Sequence, residues 1–178
     1  MKKIVSFFVL LLFVSVLTQA QTLEQINKNA EIADSLNEML LNFFDKDQRI
    51  EFFPDYYGGS YIDDKGNLVV LVTKDSDINK SDIAQIIKNE NFTVLTVNYS
   101  YKKISSVMDS IDAFISNYSI PNNHIVLQYF TGAYIDVMQN CVIMQFSILM
   151  PELIYSFKKN VTDSSVVKFR KNENTFFN

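Results

Sequence analysis

The sequence has 178 residues and a formal net charge of −4, from 16 basic and 20 acidic side chains. The basic residues form no block, which argues against nucleic acid or an anionic membrane surface as a partner. A single cysteine, Cys141, excludes an internal disulfide framework, and its place in an apolar run favours a small buried hydrophobe.

The first twenty residues resemble a bacterial secretory signal peptide. Lys2 and Lys3 form a basic start, residues 4–17 form a hydrophobic core, and Ala20 is a small residue at the expected cleavage site. The apolar run of about 14 residues is shorter than the roughly 20 that a membrane helix needs. We therefore expect cleavage after Ala20 and a secreted or periplasmic protein with no stable membrane span; an uncleaved signal anchor is the alternative.

Each half of the remaining chain is predicted to contain a helix, two strands, a second helix and a third strand. In the first half these elements are expected at residues 22–44, 57–62, 68–73, 80–89 and 92–97. In the second half they are expected at 101–115, 125–135, 141–148, from 151 onward, and at 166–169. Apolar residues at helical spacing indicate the helices, and β-branched and aromatic residues indicate the strands.

Several residues suggest where these elements begin. Thr22, with Gln25 three residues later, resembles a capping box and predicts the start of the first helix. Residues 75–77 offer caps for the second helix, and Pro151 suits the first turn of the last one. In each half a polar turn separates the two strands of a predicted β-hairpin.

The hairpin sequence occurs twice, with an offset of 73 in residue number. Seven of fourteen aligned positions are identical: Tyr56, Gly59, Tyr61, Ile62, Asp63, Asn67 and Val69 recur as Tyr129, Gly132, Tyr134, Ile135, Asp136, Asn140 and Val142. A repeat of this kind predicts an α+β fold of two tandem units, at 21–100 and 101–178, each a small mixed sheet covered by helices. The other elements are expected to keep the same offset. Because three strands make a thin sheet, the halves are expected to bury faces against each other.

Neither of the two residue groups that could bear chemistry forms a recognisable site. His124 is the only histidine, and no nucleophile turn accompanies it, so we expect a solvent-facing loop residue without a catalytic role. The segment Asp63-Asp64-Lys65-Gly66-Asn67 has alternate oxygens, but Lys65 occupies the middle and turn chemistry accounts for it. We therefore assign no catalytic, cofactor-binding or metal-ligating residue.

Three other features of the sequence each have two possible interpretations. Asn91, Asn98, Asn117 and Asn160 begin glycosylation sequons, which an asparagine-rich chain also produces by chance. An aromatic cluster could line a carbohydrate or peptide groove or pack in the core: Phe52, Phe53, Tyr56, Tyr57, Tyr129 and Phe130. The tail 170–178, which contains Phe176 and Phe177, is either a frayed end or a segment that enters a partner's cleft.

The repeated motif resembles the pro-regions of α-lytic protease and streptogrisin-type secreted serine protease precursors. The matching segments are Gly59-Ser60-Tyr61-Ile62-Asp63 with the strand from Asn67, and Gly132-Ala133-Tyr134-Ile135-Asp136 with the strand from Asn140. The resemblance implies α+β units that assist folding of, and inhibit, a chymotrypsin-like protease. We expect no protease domain here, because the 178 residues end soon after the second unit.

The sequence therefore favours a secreted, non-enzymatic, pro-region-like module that binds a protein or peptide. A protease could be its partner in trans, through a sheet edge or the tail. Two alternatives from other classes are a small hydrolase that uses an unrecognised site, for instance around His124, and a structural envelope protein.

Overall fold

The computed structural model describes residues 2–172, and its side chains are described from residue 22 onward. The elements in chain order are α1 (Lys2–Phe44), a 3₁₀ turn (Ile50–Phe52), β1 (Tyr57–Ile62), β2 (Leu68–Thr73), α2 (Lys80–Ile87), β3 (Thr93–Val97), α3 (Tyr101–Ile115), α4 (Ile125–Tyr129), β4 (Phe130–Asp136), β5 (Cys141–Phe146), α5 (Pro151–Asn160) and β6 (Val167–Lys171). The predicted α+β class is confirmed, with two small mixed sheets in tandem units. No helix among the described residues is both long enough and apolar enough to cross a membrane.

Three predicted boundaries were wrong. The first helix runs without interruption through Thr22, so this residue lies within the helix and does not begin it. Asn79, and not residues 75–77, caps α2: its side chain accepts from the backbone N–H groups of Ser81 and Asp82, and Asp82 accepts in return from the N–H of Asn79. Residues 125–129 form helix α4 where a strand was predicted, because a turn of backbone hydrogen bonds starts at His124.

The two sheets share one topology. In the first, β2 lies between β1, which is antiparallel to it, and β3, which is parallel to it. In the second, β5 lies in the same way between β4 and β6. The first strand of each sheet has a β-bulge, between Tyr57 and Gly59 in β1 and between Phe130 and Gly132 in β4. The repeat in the sequence is thus a repeat in hydrogen bonding.

Strand pairing shows that the offset between the two copies drifts along the chain. Ser60 of β1 pairs with Val70 of β2, which pairs in turn with Val94 of β3. The corresponding row in the second sheet is Ala133, Met144 and Phe169. The predicted offset therefore holds for the first strands alone: one additional residue precedes β5 in the second unit, and another precedes β6.

Each unit has its own hydrophobic core between its helices and one face of its sheet. The core of the first unit includes Leu40, Leu68, Val70, Val72 and Ile83. The core of the second includes Ile104, Val142, Met144, Phe146 and Phe157. Alternate residues of the central strands face the other way, and Leu71 and Ile143 are buried there as well. That the sheet faces bury each other stays a prediction.

Candidate functional site

The single histidine has a structural position. The Nδ1 atom of His124 accepts from the backbone N–H of Val126 at 3.3 Å and so caps α4. Its ring packs edge-on against Phe114, with centroids 5.3 Å apart. In the part of the chain whose side chains are described, no hydrogen bond or ion pair joins the imidazole to a carboxylate. This geometry gives His124 a capping and packing role.

The polar turn of the first hairpin is held together by its own donors. The carboxylate of Asp63 accepts from the backbone N–H groups of Lys65 and Asn67, at 2.9 and 2.7 Å, and from the Asn67 side-chain amide. The backbone bond from Asn67 is the main reason that the pKa of Asp63 lies below its usual range. Within residues 22–172, no three His, Cys, Asp or Glu side chains converge in a way that could hold a metal ion.

The predicted aromatic cluster is divided between the two units. Phe53 and Tyr57 are buried, and their ring centroids lie 5.6 Å apart. The rings of Phe44 and Tyr101 pack against them. Burial raises the pKa of Tyr57 to about 12, although the hydrogen bond with Ser60 partly opposes this. These rings join α1 to β1 and to the start of α3, so their main role is packing.

Tyr56 packs against the core of the first unit, with its ring centroid 6.2 Å from that of Phe44, and the other members of the predicted cluster lie elsewhere. Phe52 is exposed, and the guanidinium of Arg49 lies over its ring at 4.5 Å. Tyr129 and Phe130 pack against the core of the second unit. The six residues therefore line no common groove. Cys141 is buried, as predicted, and burial raises the pKa of its thiol.

All four sequon asparagines are exposed, at positions 91, 98, 117 and 160. Their glycosylation stays a prediction. Of the predicted tail, 170–172 are described and the rest of it, including Phe176 and Phe177, lies outside the described residues.

One buried amide connects the two units. Asn140, in the turn between β4 and β5, is 7% exposed and is the one buried polar side chain among the described residues. Its Oδ1 accepts from the N–H of Tyr99 at 2.9 Å, and its Nδ2 donates to the Tyr99 carbonyl at 2.9 Å and to the Gly58 carbonyl at 3.4 Å. The second unit thereby contacts both the linker before α3 and the outer edge of β1. Sequence reasoning treated Asn140 only as a turn residue.

The strand β6 lies at the edge of the second sheet, and within residues 2–172 no further strand pairs with its outer side. The N–H of Asn172 donates to the Phe146 carbonyl, and the N–H of Val142 donates to the Val166 carbonyl. Even-numbered residues therefore face β5, and the backbone of Phe169 and Lys171 points outward. An edge of this kind can accept an additional strand from another chain.

An apolar surface lies beside the end of β5. We call it the apolar patch; it consists of Ile148, Leu149, Met150, Pro151, Ile154 and Tyr155. Its outermost members are exposed, Tyr155 by 67% and Ile148 by 41%. Leu149, Met150, Pro151, Ile154 and Tyr155 line a shallow surface cavity of about 430 Å³. Exposed apolar groups that are contiguous indicate a contact surface more often than isolated ones do.

Comparison with known families gives two neighbouring matches. Residues 18–99 match the family described as the Pro-like N-terminal domain, and residues 102–172 match the Pro-like C-terminal domain. The two matches fit the two tandem units of the structure and confirm the resemblance to protease pro-regions. No curated protein matches the sequence.

Proposed function

Because the chain carries a Pro-like N-terminal domain followed by a Pro-like C-terminal domain, we propose that it is a secreted, non-enzymatic pro-region-like module. In this proposal it binds a protease in trans, and the partner adds a strand to the open edge of β6. The outward backbone of Phe169 and Lys171, which no strand of the described chain covers, is the observation that carries the proposal.

The two outer edges differ in what contacts them. The outer edge of β1, in the first sheet, is contacted by Asn140, which bonds to the Gly58 carbonyl. At β6, by contrast, Lys168, Arg170 and Lys171 are exposed. Main-chain hydrogen bonds along such an edge supply affinity, and side chains that alternate between the two faces supply specificity.

The test is a binding experiment with an edge-blocking variant. Lys171→Pro removes an outward N–H and places a ring at the open side, and it leaves the bonds to β5 in place. Residues 21–178 of the original sequence and of the variant would be immobilised and exposed to secreted and envelope fractions of the producing cells. We expect saturable retention of a protease that the free protein inhibits, and at least tenfold weaker retention by Lys171→Pro.

Two matched variants make the result specific. Lys171→Ala removes the same charge but keeps the N–H, so it should bind within threefold of the original chain. Thr96→Pro blocks the equivalent outward position of β3 and should also leave binding unchanged. If Lys171→Pro folds normally by circular dichroism and binds as well as Lys171→Ala, strand addition at β6 is refuted. If no protease is retained, the protease-partner proposal fails.

A further inference from the structure

A surface pocket of about 240 Å³ lies where the two units meet. Its walls come from α1, the 3₁₀ turn, β1, the start of α3 and the turn between β4 and β5. Val137 of that turn reaches the pocket because Gly59, at the β-bulge of β1, has no side chain and a φ of +116°. A Cβ atom at Gly59 would lie only 2.7 Å from the Cγ1 atom of Val137. Segments that are distant in the sequence therefore converge on one concave site.

Three polar side chains of the pocket form a chain of hydrogen bonds with a defined direction. The Ser60 hydroxyl donates to the Oδ1 atom of Asn37 at 2.5 Å, and the Tyr57 hydroxyl lies 2.6 Å from the Ser60 oxygen. Since a serine hydroxyl carries one hydrogen, Tyr57 donates to Ser60. This direction leaves the two N–H groups of the Asn37 amide without a hydrogen-bond partner within residues 22–172, and it leaves lone pairs on the Tyr57 and Ser60 oxygens.

The rest of the pocket is largely apolar. The rings of Phe53, Tyr57 and Tyr101 line it, with centroids 5.6–6.4 Å apart, and Leu41 and Val137 add aliphatic contacts. Among the described residues that line the pocket, none is an Asp, Glu, Lys, Arg or His. A charged ligand would lose its hydration there without gaining an opposite charge, which costs free energy. The pocket therefore favours an uncharged ligand.

These features match the chemistry of an uncharged phenol. A hydroxyl group can accept from the Asn37 amide and donate to the Ser60 or Tyr57 oxygen at the same time, whereas a carbonyl only accepts and an ammonium only donates. A phenol ring also suits walls made of three aromatic rings, through offset or edge-to-face contacts. The volume of about 240 Å³ lies below the roughly 300–1,000 Å³ of pockets that enclose a drug-sized ligand, so the pocket accommodates a single ring.

We propose that this pocket binds an uncharged phenol ring, which either a tyrosine of a peptide or a free small molecule can supply. In the complex Asn37 donates to the phenol oxygen, and the phenol donates to Ser60 or Tyr57. None of the residues that line the pocket belongs to β6, so this proposal and the strand addition proposed above can fail independently of each other. Because both units contribute to the walls, a bound phenol also stabilises their junction.

The first test is a titration of the isotope-labelled protein with 4-methylphenol, followed by nuclear magnetic resonance. We expect saturable shifts of the amide signals of Asn37, Ser60, Tyr101 and Val137, with a Kd in the millimolar range or below, as for other ligands of this size. Toluene, which lacks the hydroxyl, and 4-methylbenzoate, which carries a carboxylate in its place, should bind at least tenfold more weakly. Equal binding of either compound, or the absence of saturable shifts at these residues, would overturn the proposal.

A pair of matched variants tests the role of Asn37. Asn37→Ala removes the free donor and should weaken the binding of 4-methylphenol at least fivefold while leaving the weaker binding of toluene unchanged. Alanine is the best helix former, so the variant is expected to fold. Asn27→Ala makes the same change at an exposed position of α1 that does not line the pocket, and it should bind as the original chain does. Equal affinity of the two variants for 4-methylphenol would refute the assignment.

A second ligand pair identifies the source of the phenol. N-acetyl-tyrosinamide places the ring on a peptide backbone, and N-acetyl-phenylalaninamide is its control without the hydroxyl. If N-acetyl-tyrosinamide binds within tenfold of 4-methylphenol, the pocket accepts a tyrosine of a peptide; if it binds more weakly, the ligand is a free phenol. Both results support the phenol site, whereas equal binding of the two amides at the pocket would overturn it.

Discussion

The buried amide of Asn140 gives the sharpest test of how the two units are joined. Its side chain makes three hydrogen bonds to backbone groups of Tyr99 and Gly58, both distant in the sequence. The residue also has a φ of +50°, in the left-handed region that asparagine tolerates better than most other residues. The substitution Asn140→Ala removes the hydrogen bonds and places alanine, which tolerates the left-handed region less well than asparagine, at this φ.

The magnitude follows from these two effects. Truncation leaves the N–H and the carbonyl of Tyr99 without this partner, and an unsatisfied buried polar group costs about 1–3 kcal/mol. We therefore expect about 2–4 kcal/mol from lost hydrogen bonds, since the bond to Gly58 is long. The left-handed backbone adds about 1 kcal/mol for alanine. Asn140→Ala should lower the free energy of unfolding by about 3–5 kcal/mol.

A second variant separates the two causes. Glycine adopts the φ of +50° without a steric penalty, so Asn140→Gly loses the hydrogen bonds alone. Its expected destabilisation is about 2–4 kcal/mol. The control is Asn67→Ala, because the Asn67 side chain is exposed and its amide donates to Asp63 within its own turn. This change should cost less than about 1 kcal/mol.

The assay is urea denaturation followed by circular dichroism, with all variants measured at one pH and temperature. The midpoints should fall in the order original chain, Asn67→Ala, Asn140→Gly, Asn140→Ala. If Asn140→Gly unfolds within about 0.5 kcal/mol of the original chain, the amide contributes nothing to the joint between the units and the reasoning is wrong.

Two further predictions concern a turn and a buried phenol. Gly66 has a φ of +80° and lies against the Ile26 carbonyl of α1, so Gly66→Ala should destabilise the protein by at least about 3 kcal/mol. In the control Gly132→Ala, the added methyl group meets only the end of the Gln145 side chain, and the change should cost under about 1 kcal/mol. Equal effects of the two substitutions in urea denaturation would contradict this prediction. The pKa of Tyr57 is about 12 in the folded protein and about 10 in the unfolded chain, so the neutral phenol stabilises the fold fully below pH 10 and this stability is lost as the pH rises to 12. The stability lost over this pH range amounts to about 2–3 kcal/mol. Tyr57→Phe should remove this decrease in the unfolding free energy between pH 10 and 12. The same decrease in both proteins would contradict the prediction.

Local patterns predicted the elements that depend on near neighbours. The hairpin strands β1 and β2 have the expected bounds, because alternation and the polar turn from Asp63 to Asn67 determine them within a few residues. The helix α3 begins at Tyr101 because Ser100 caps it, and its apolar stripe is regular. Helix α4 could not be predicted in this way, since its apolar residues suit a strand equally well and its cap is a histidine, which is not among the usual N-cap residues.

The contacts between the two units depend on which distant segments meet in the fold, and the offset of 73 between the hairpin sequences does not show this. Asn67 and Asn140 occupy matching places in that alignment, yet one bonds within its turn and the other connects the two units. The difference arises from what lies opposite each turn, Asn29 of α1 in the first unit and the linker at Tyr99 in the second. No local pattern contains that information.

Comparison of the two units nevertheless separates positions that the shared fold requires from positions that it leaves free to vary. Positions that keep their character in both units, such as the core residues Val70 and Met144, serve the shared scaffold. Positions that keep the residue type but differ in their contacts, such as Asn67 and Asn140, are free of that requirement. The second unit therefore carries a feature without a counterpart in the described part of the first, the buried amide of Asn140 that joins the units. This amide makes its contacts beyond the unit's own core, with the linker at Tyr99 and with Gly58 of β1.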